Sequence, residues 1–235
     1  RAIALARDAL PRGTPPRGQA WAHERLGRFL WTAGRMAESA AEYQQAAALV
    51  ESEPDEQAAL AHAGLAQADL MFCRFHAAER SAQRALAVAA ADDTAARSMA
   101  TRVLGVLDAQ HGRLDDAVHR CRTAVDMVSE PHRQALASAY LALTLLEIGR
   151  AEEAVTIALD SAAAAQRAGF ETSFAAYHWA LAAHGYLRLG RWSDADAVLL
   201  DAAGVEATAV GAIQLSAAAA TLAARRGDLP TARRY

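Results

Sequence analysis

The residues of this sequence whose types could do chemistry are first of all its cysteines and histidines. Cys73 and His76 form a Cys-x-x-His pair in the stretch CRFH, which is half of a zinc-binding pattern. A structural zinc ion takes four ligands, and no second pair follows at a suitable spacing. His119 and Cys121 are two residues apart, so on a helix they face different directions. We therefore predict no metal site, and we expect Cys121 to be a thiol of the core.

Catalytic patterns are also missing from the sequence. His178 and His184 are six residues apart, a poor spacing for two ligands on one helix, and neither HExxH nor GxSxG occurs. Neighbouring acidic residues occur at two places where helices are predicted to begin, and the helix dipole favours anions there. These pairs are Asp115 with Asp116 and Glu152 with Glu153. We expect no enzymatic activity and no cofactor.

Composition narrows the class of protein further. The 235 residues are 53% hydrophobic, but no uninterrupted apolar run is long enough for a membrane span. The net charge is −3 and the charges are mixed along the chain, which gives no reason to expect direct nucleic-acid binding. The two cysteines form no disulfide framework, so a reducing cytoplasm is expected. Lysine and asparagine are absent and alanine and arginine are frequent, which is typical of a G+C-rich bacterial genome.

A seven-residue pattern recurs along the chain every 37–41 residues, the signature of a helical array. Its occurrences are GRMAESA (34–40), CRFHAAE (73–79), GRLDDAV (112–118), GRAEEAV (149–155), GRWSDAD (190–196) and GDLPTAR (227–233). The glycine is expected to end one helix with a left-handed backbone. When the residue two positions after the glycine is apolar, its side chain is expected to plug the corner between the two helices. Asp115 and Ser193 are expected to cap the second helices of their units, and Pro230 is expected to lie in the first turn of another. Small residues five after and seven before the glycine, such as Ala117 and Gly105, let the two helices approach closely.

Each occurrence is thus the turn of a helix hairpin that needs its neighbours to complete a core. The first helices are predicted over 20–33, 57–72, 94–111, 133–148, 172–189 and 211–226. The second helices are predicted over 37–50, 76–90, 115–128, 152–167 and 193–203. Residues 1–10 are read as the second helix of a preceding unit and 11–19 as a long turn, so the segment is expected to be cut from a longer protein. We predict one repeat domain over 1–235, with units at 20–53, 54–92, 93–130, 131–170, 171–209 and an incomplete 210–235.

This arrangement of small residues, leucine, glycine and alanine resembles the tetratricopeptide repeat over nearly the whole chain. The resemblance implies an all-α fold, a right-handed α-solenoid of tandem antiparallel helix hairpins. The period exceeds the usual 34 residues, and only Pro54 and Pro131 mark turns between units. Longer helices with a drifting period are similar to the tetratricopeptide-like region of bacterial ATP-binding LuxR-type transcriptional regulators related to the maltose regulator. In that family a nucleotide-binding module precedes the array and a DNA-binding helix-turn-helix follows it; neither motif lies in these residues.

In such solenoids the first helices line the concave face, where partners usually bind. Helical spacing places on that face the residues 13, 10, 6 and 3 positions before each turn. The predicted contact residues are Trp21, Arg28, Trp31, Gln67, Met99, Arg102, Leu143, Tyr177 and His184. The stripe is strongly apolar, so it is either a binding groove or buried core, and both readings stay open.

The leading functional hypothesis is a sensory and protein-interaction module of a cytoplasmic bacterial transcriptional regulator. Its partner would be a protein, a peptide or a small-molecule inducer, and self-association is also open. The alternative is a general scaffold that binds a peptide or protein without a transcriptional role. A purely structural spacer is a third reading.

Overall fold

The computed structural model describes residues 2–8, 15–50 and 56–235, and within these ranges every regular element is a helix. The chain divides into two compact units, Arg1–Val128 and Ser129–Tyr235. The first contains α1 (Ala2–Asp8), α2 (Pro16–Thr32), α3 (Met36–Leu49), α4 (Glu56–Met71), α5 (Phe75–Val88), α6 (Thr94–Gln110) and α7 (Leu114–Asp126). The second contains α8 (Pro131–Glu147), α9 (Ala151–Arg167), a π-helical turn (Glu171–Ala175), α10 (Ala176–Arg188), α11 (Trp192–Ala202), α12 (Ala209–Arg225) and α13 (Leu229–Ala232). None of these helices is long and apolar enough to cross a bilayer.

The helices pair as antiparallel hairpins, which confirms the predicted all-α solenoid class. In the first unit α2 packs on α3, α4 on α5 and α6 on α7, while α4 also contacts α2 and α6. In the second unit α8 packs on α9 and α10 on α11, and α10 also contacts α8 and α12. Of the predicted turn over 11–19, residues 11–14 lie outside the described residues, whereas 16–19 form the start of α2, so the prediction is wrong there. Pro54 also lies outside the described residues. The extent of the repeat domain over the whole chain stays a prediction.

Alanine makes up most of the interior between these helices. In the first unit one buried cluster lies among α4, α5 and α6, and each of its small side chains lets two helix backbones approach closely. Its alanines are Ala59, Ala63, Ala66, Ala78, Ala82, Ala85, Ala96 and Ala100.

The turn between α6 and α7 shows how one corner is built. Gly112 has a φ of +76°, the left-handed conformation that glycine adopts at least cost. The Arg113 N–H donates to the Asp108 carbonyl at 2.9 Å and the Gly112 N–H to the Ala109 carbonyl at 3.0 Å, so these two carbonyls at the end of α6 are satisfied. The Arg113 carbonyl then accepts from the Ala117 N–H at 2.9 Å and starts α7. The predicted turn at the glycine is therefore confirmed.

The prediction that Asp115 and Ser193 cap the second helices is wrong. Helix α7 begins at Leu114, one residue earlier than predicted, so Arg113 holds the capping position and Asp115 is the second helical residue. Ser193 is displaced in the same way in α11. The reason is that the turn leaves no spare residue: the arginine that closes one helix also opens the next. Pro230 does lie in the first turn of α13.

The prediction that an apolar side chain plugs each corner is wrong at four of the six turns. These side chains occupy the first position of the second helix, before the first residue that faces the partner helix. Backbone hydrogen bonds already close the corner, so the side chains stay between 37% and 52% exposed. They are Phe75, Leu114, Trp192 and Leu229.

Candidate binding faces on the first helices

The first-helix face of the first unit consists of the residues of α2, α4 and α6 that lie 13, 10, 6 and 3 positions before their turns. Trp21 on α2 is 51% exposed, and the Arg25 guanidinium lies 5.2 Å from the centre of its ring. Arg28 and Trp31 follow on the same face of the helix and are half-buried. Within the described part of the chain, the Arg28 guanidinium makes no hydrogen bond or ion pair. This helix therefore presents aromatic surface beside an available cation.

Two of the predicted contact residues are interior instead. Gln67 and Arg102 are only 4% and 3% exposed, and Arg102 Nη2 donates to Gln67 Oε1 at 2.5 Å. The pair joins α4 to α6 beneath the face, and a buried guanidinium needs such partners because its desolvation is costly. Gln67 and Arg102 thus support the face and do not form its contact surface.

The apolar side chains of this face are neither fully buried in the core nor fully exposed in a groove. Met99 is half-buried and packs against the alanine cluster, as do Leu60 and Leu70. Val106 on α6 is also half-buried. These side chains contact the core with one side and leave the other accessible, so the stripe is the outer surface of the core.

The first-helix face of the second unit, formed in the same way by α8, α10 and α12, is uncharged at neutral pH. Leu143, Tyr177 and His184 are all half-buried on it. Burial raises the pKa of the Tyr177 phenol, and nearby Tyr140 raises it further. Burial lowers the pKa of His184, and the Arg188 guanidinium lowers it further because two cations repel. Tyr177 and His184 therefore act as neutral hydrogen-bonding groups.

His178, whose spacing from His184 makes it unsuitable as a metal ligand, joins two of the helices that carry this face. It is completely buried, and its Nε2 lies 2.9 Å from the Ala135 carbonyl of α8. Because a carbonyl only accepts, Nε2 carries the proton, and Nδ1 has no hydrogen-bond partner. Burial lowers the pKa of His178 to about 4, although the bond to Ala135 opposes the shift. His178 is next to Trp179 and one residue away from the predicted contact stripe. That position was the signal in the sequence that its side chain points inward.

The residues first considered for chemistry are not brought together. Cys73 lies in the turn before α5 and His76 is the second residue of α5, and both are exposed. Cys121 is completely buried, while His119 is exposed, as their spacing predicted. The two acidic pairs lie in the first turns of α7 and α9, also as predicted. Over the described ranges, no three histidine, cysteine or acidic side chains are grouped to hold a metal ion.

In five of the six turns an arginine follows the turn residue, and it forms an ion pair with a carboxylate of the chain itself. In three turns the partner lies three residues later in the second helix, and in two turns it lies five residues earlier, at the end of the first helix. The pairs are Arg35–Glu38, Arg150–Glu153, Arg191–Asp194, Arg74–Asp69 and Arg113–Asp108. This agrees with their interpretation as helix-end charges and not as phosphate ligands.

Solved structures show where this architecture occurs. A Rap protein in complex with competence and sporulation factor matches 98% of the chain with a TM-score of 0.78 at 14% identity. A tetratricopeptide repeat protein from Parabacteroides merdae matches 98% with a TM-score of 0.59 at 14% identity. The chain has a tetratricopeptide-repeat-like fold. PilF of Pseudomonas aeruginosa shares it, with a TM-score of 0.57 over 94% of the chain at 17% identity.

At these identities the likeness concerns the tetratricopeptide-repeat-like fold alone. The chain spans 66% of the length of the Rap protein, 81% of the Parabacteroides protein and 90% of PilF. No family model and no curated protein matches the sequence.

Proposed function

We propose that the chain is a protein-interaction module whose first-helix faces bind a peptide or protein partner. The observation that carries the proposal is the accessible face of α2, where Trp21 is half exposed and Arg28 and Trp31 follow further along the same face. Tryptophan and arginine supply most of the binding energy in many interfaces, because they combine large contact area with directed polar groups. The complex of a Rap protein with competence and sporulation factor supports the proposal, since that protein has the same fold.

The wider role that we propose is the sensory region of a cytoplasmic bacterial transcriptional regulator. A partner or small-molecule inducer would bind the array, favour one packing of its helices and so change the assembly of attached modules. The long, drifting repeats and the lysine-free composition support this role. It requires a nucleotide-binding module before the array and a helix-turn-helix after it in the intact protein. The coding sequence on either side is the direct check, and a frame that encodes neither module would leave the general scaffold as the function.

The interaction itself is testable without a known partner. Peptides would be selected from a random library on the immobilised chain, and the dissociation constant of the best peptide would be measured by calorimetry. We expect Trp21→Ala to weaken binding by about tenfold or more, the loss typical of an anchor residue. Trp192→Ala is the matched control, because Trp192 is exposed but lies outside both faces.

Two results would count against the proposal. If no peptide is selected above background, the faces do not bind extended chains. If the selected peptides bind Trp21→Ala and Arg28→Ala as tightly as the unaltered chain, the contact surface lies elsewhere.

A further inference from the structure

A second candidate site lies on the other side of the first unit, between the second helices. A cleft of about 450 Å³ separates α5 from α7, and α6 packs against both helices and forms its floor. Leu104 and Leu107 of α6 and Leu86 of α5 supply the apolar part of its lining. Sites for small ligands usually measure about 300–1,000 Å³, so the cleft has an adequate size.

One buried carboxylate at the floor of this cleft holds two arginines. Asp108 is 3% exposed. Arg113 donates to its Oδ1 from Nε at 2.9 Å and from Nη2 at 2.5 Å, and Arg120 Nε lies 2.7 Å from its Oδ2. Both arginines remain nearly half exposed and line the cleft, so each keeps N–H groups that a ligand can reach.

In the preceding turn one arginine contacts the equivalent carboxylate, and a second one, Arg80, acts on it electrostatically. Asp69 occupies the position of Asp108 there and pairs with Arg74, while the position equivalent to Arg120 is Ser81. Arg120 thus adds an ion-pair contact that the preceding turn does not make, and its side chain lines the cleft.

The second unit contains a cleft of similar size, about 440 Å³, lined by α9, the end of α10 and Arg191, without this charged centre. Tyr186 replaces the buried aspartate there, and Arg191 lies 4.7 Å from its ring centre. Val198 stands where the additional arginine would be. The repeat architecture thus produces the cleft without requiring two arginines and a carboxylate in it.

The opposite wall of the charged cleft carries Glu79 of α5. Four charged groups then line the cleft, Glu79 and Asp108 against Arg113 and Arg120, and their charges cancel. A ligand with a net charge gains little from a neutral lining. A ligand with separated opposite charges gains at both ends, because the cations and Glu79 stand on different walls.

We propose that this cleft binds a free apolar α-amino acid. The carboxylate of the ligand accepts hydrogen bonds from the outer nitrogens of Arg113 and Arg120, its ammonium group donates to Glu79, and its side chain covers Leu104 and Leu107. The site is separate from the first-helix faces, so it stands whether or not those faces bind a partner.

Calorimetry of the 235-residue chain with L-leucine tests the chemistry of the ligand. We expect one site per chain, and at least about tenfold weaker binding of L-leucinamide and N-acetyl-L-leucine, each of which lacks one charge. Glycine, which lacks the apolar group, should also bind more weakly. No heat of binding with millimolar L-leucine, or equal binding of the amide and the acid, would overturn the proposal.

Two substitutions locate the site. Arg120→Gln and Glu79→Gln should each weaken L-leucine binding by about tenfold, while circular dichroism stays unchanged because Asp108 keeps its bonds to Arg113. Arg122→Gln, two residues along α7 and outside the lining, is the matched control and should bind normally. If both site variants bind L-leucine as tightly as the control does, the ligand does not occupy this cleft.

Discussion

At the scale of single residues, Cys73 is the turn residue that departs from the pattern. It has a φ of +56°, whereas glycine holds the left-handed position in the other five turns. Its Cβ makes that conformation unfavourable by about 1–2 kcal/mol, and glycine in its place would add flexibility to the unfolded chain.

We therefore predict that Cys73→Gly raises the free energy of unfolding by about 0.5–1 kcal/mol, measured by urea denaturation. Cys73→Ala is the control, because it removes the thiol but keeps a Cβ, and it should give no gain. Equal stabilisation by both substitutions would show that the thiol and not the backbone is responsible.

His178 makes stability depend on pH. Its pKa is about 4 in the folded chain, against about 6.5 in an unfolded chain. The unfolded state therefore binds a proton first as the pH falls, and stability that is complete above pH 6.5 is lost between about pH 6.5 and pH 4.

From pH 7 to pH 5 we expect His178 to contribute a loss of about 2 kcal/mol in the free energy of unfolding. His178→Gln keeps a side-chain N–H that can reach the Ala135 carbonyl but does not titrate. Urea denaturation at both pH values should show a smaller loss for this variant. The same loss in both proteins would assign the pH dependence to other groups.

At the scale of elements, the α6–α7 hairpin depends on one close approach. A Cβ added at Gly105 would lie 2.6 Å from Cys121 Sγ and 3.1 Å from the Ala117 carbonyl oxygen. The second contact is to backbone, so the two helices themselves would have to separate.

We predict that Gly105→Ala lowers the free energy of unfolding by about 1–3 kcal/mol, the usual effect of overpacking. Adding Cys121→Ala removes the sulfur and should restore part of the loss, which a double-mutant cycle would measure. Strictly additive effects would mean that the sulfur and the glycine are not in conflict.

The same hairpin shows how far the sequence predicts an element. The turn at Gly112 and the small residues Gly105 and Ala117 follow from the repeat, because each meets a steric demand made by its own hairpin. The first helices begin earlier than predicted at Pro16 and Pro131, since proline fits the first helical turn. The π-helical turn before α10 has no signal in the repeat pattern.

At the scale of the whole molecule, substitutions in α8 can show whether the first-helix faces are binding grooves or buried core. Leu143 is half-buried on the face, whereas Leu145, two residues away, is completely buried. Leu143→Glu should abolish binding of a selected peptide to the second unit and leave helicity intact, since its carboxylate can reach water.

Leu145→Glu is the matched comparison and should unfold the second unit, because it buries an unpaired charge. Circular dichroism and thermal denaturation report on both variants. If Leu143→Glu loses as much helicity as Leu145→Glu, this face belongs to the core and the binding proposal fails there.

The hairpins of this tetratricopeptide-repeat-like fold, their turns and the interior position of Cys121 could all be predicted from the order of the residues. These features depend on backbone conformation and on contacts within one hairpin, and so on residues at fixed spacings along the chain. Three features could not be predicted in this way: the interior position of Gln67 and Arg102, the exposure of Phe75 and Leu114, and the carboxylate that each turn arginine binds. Burial and ion pairing depend on how neighbouring helices cover one another, and residues distant in sequence set that.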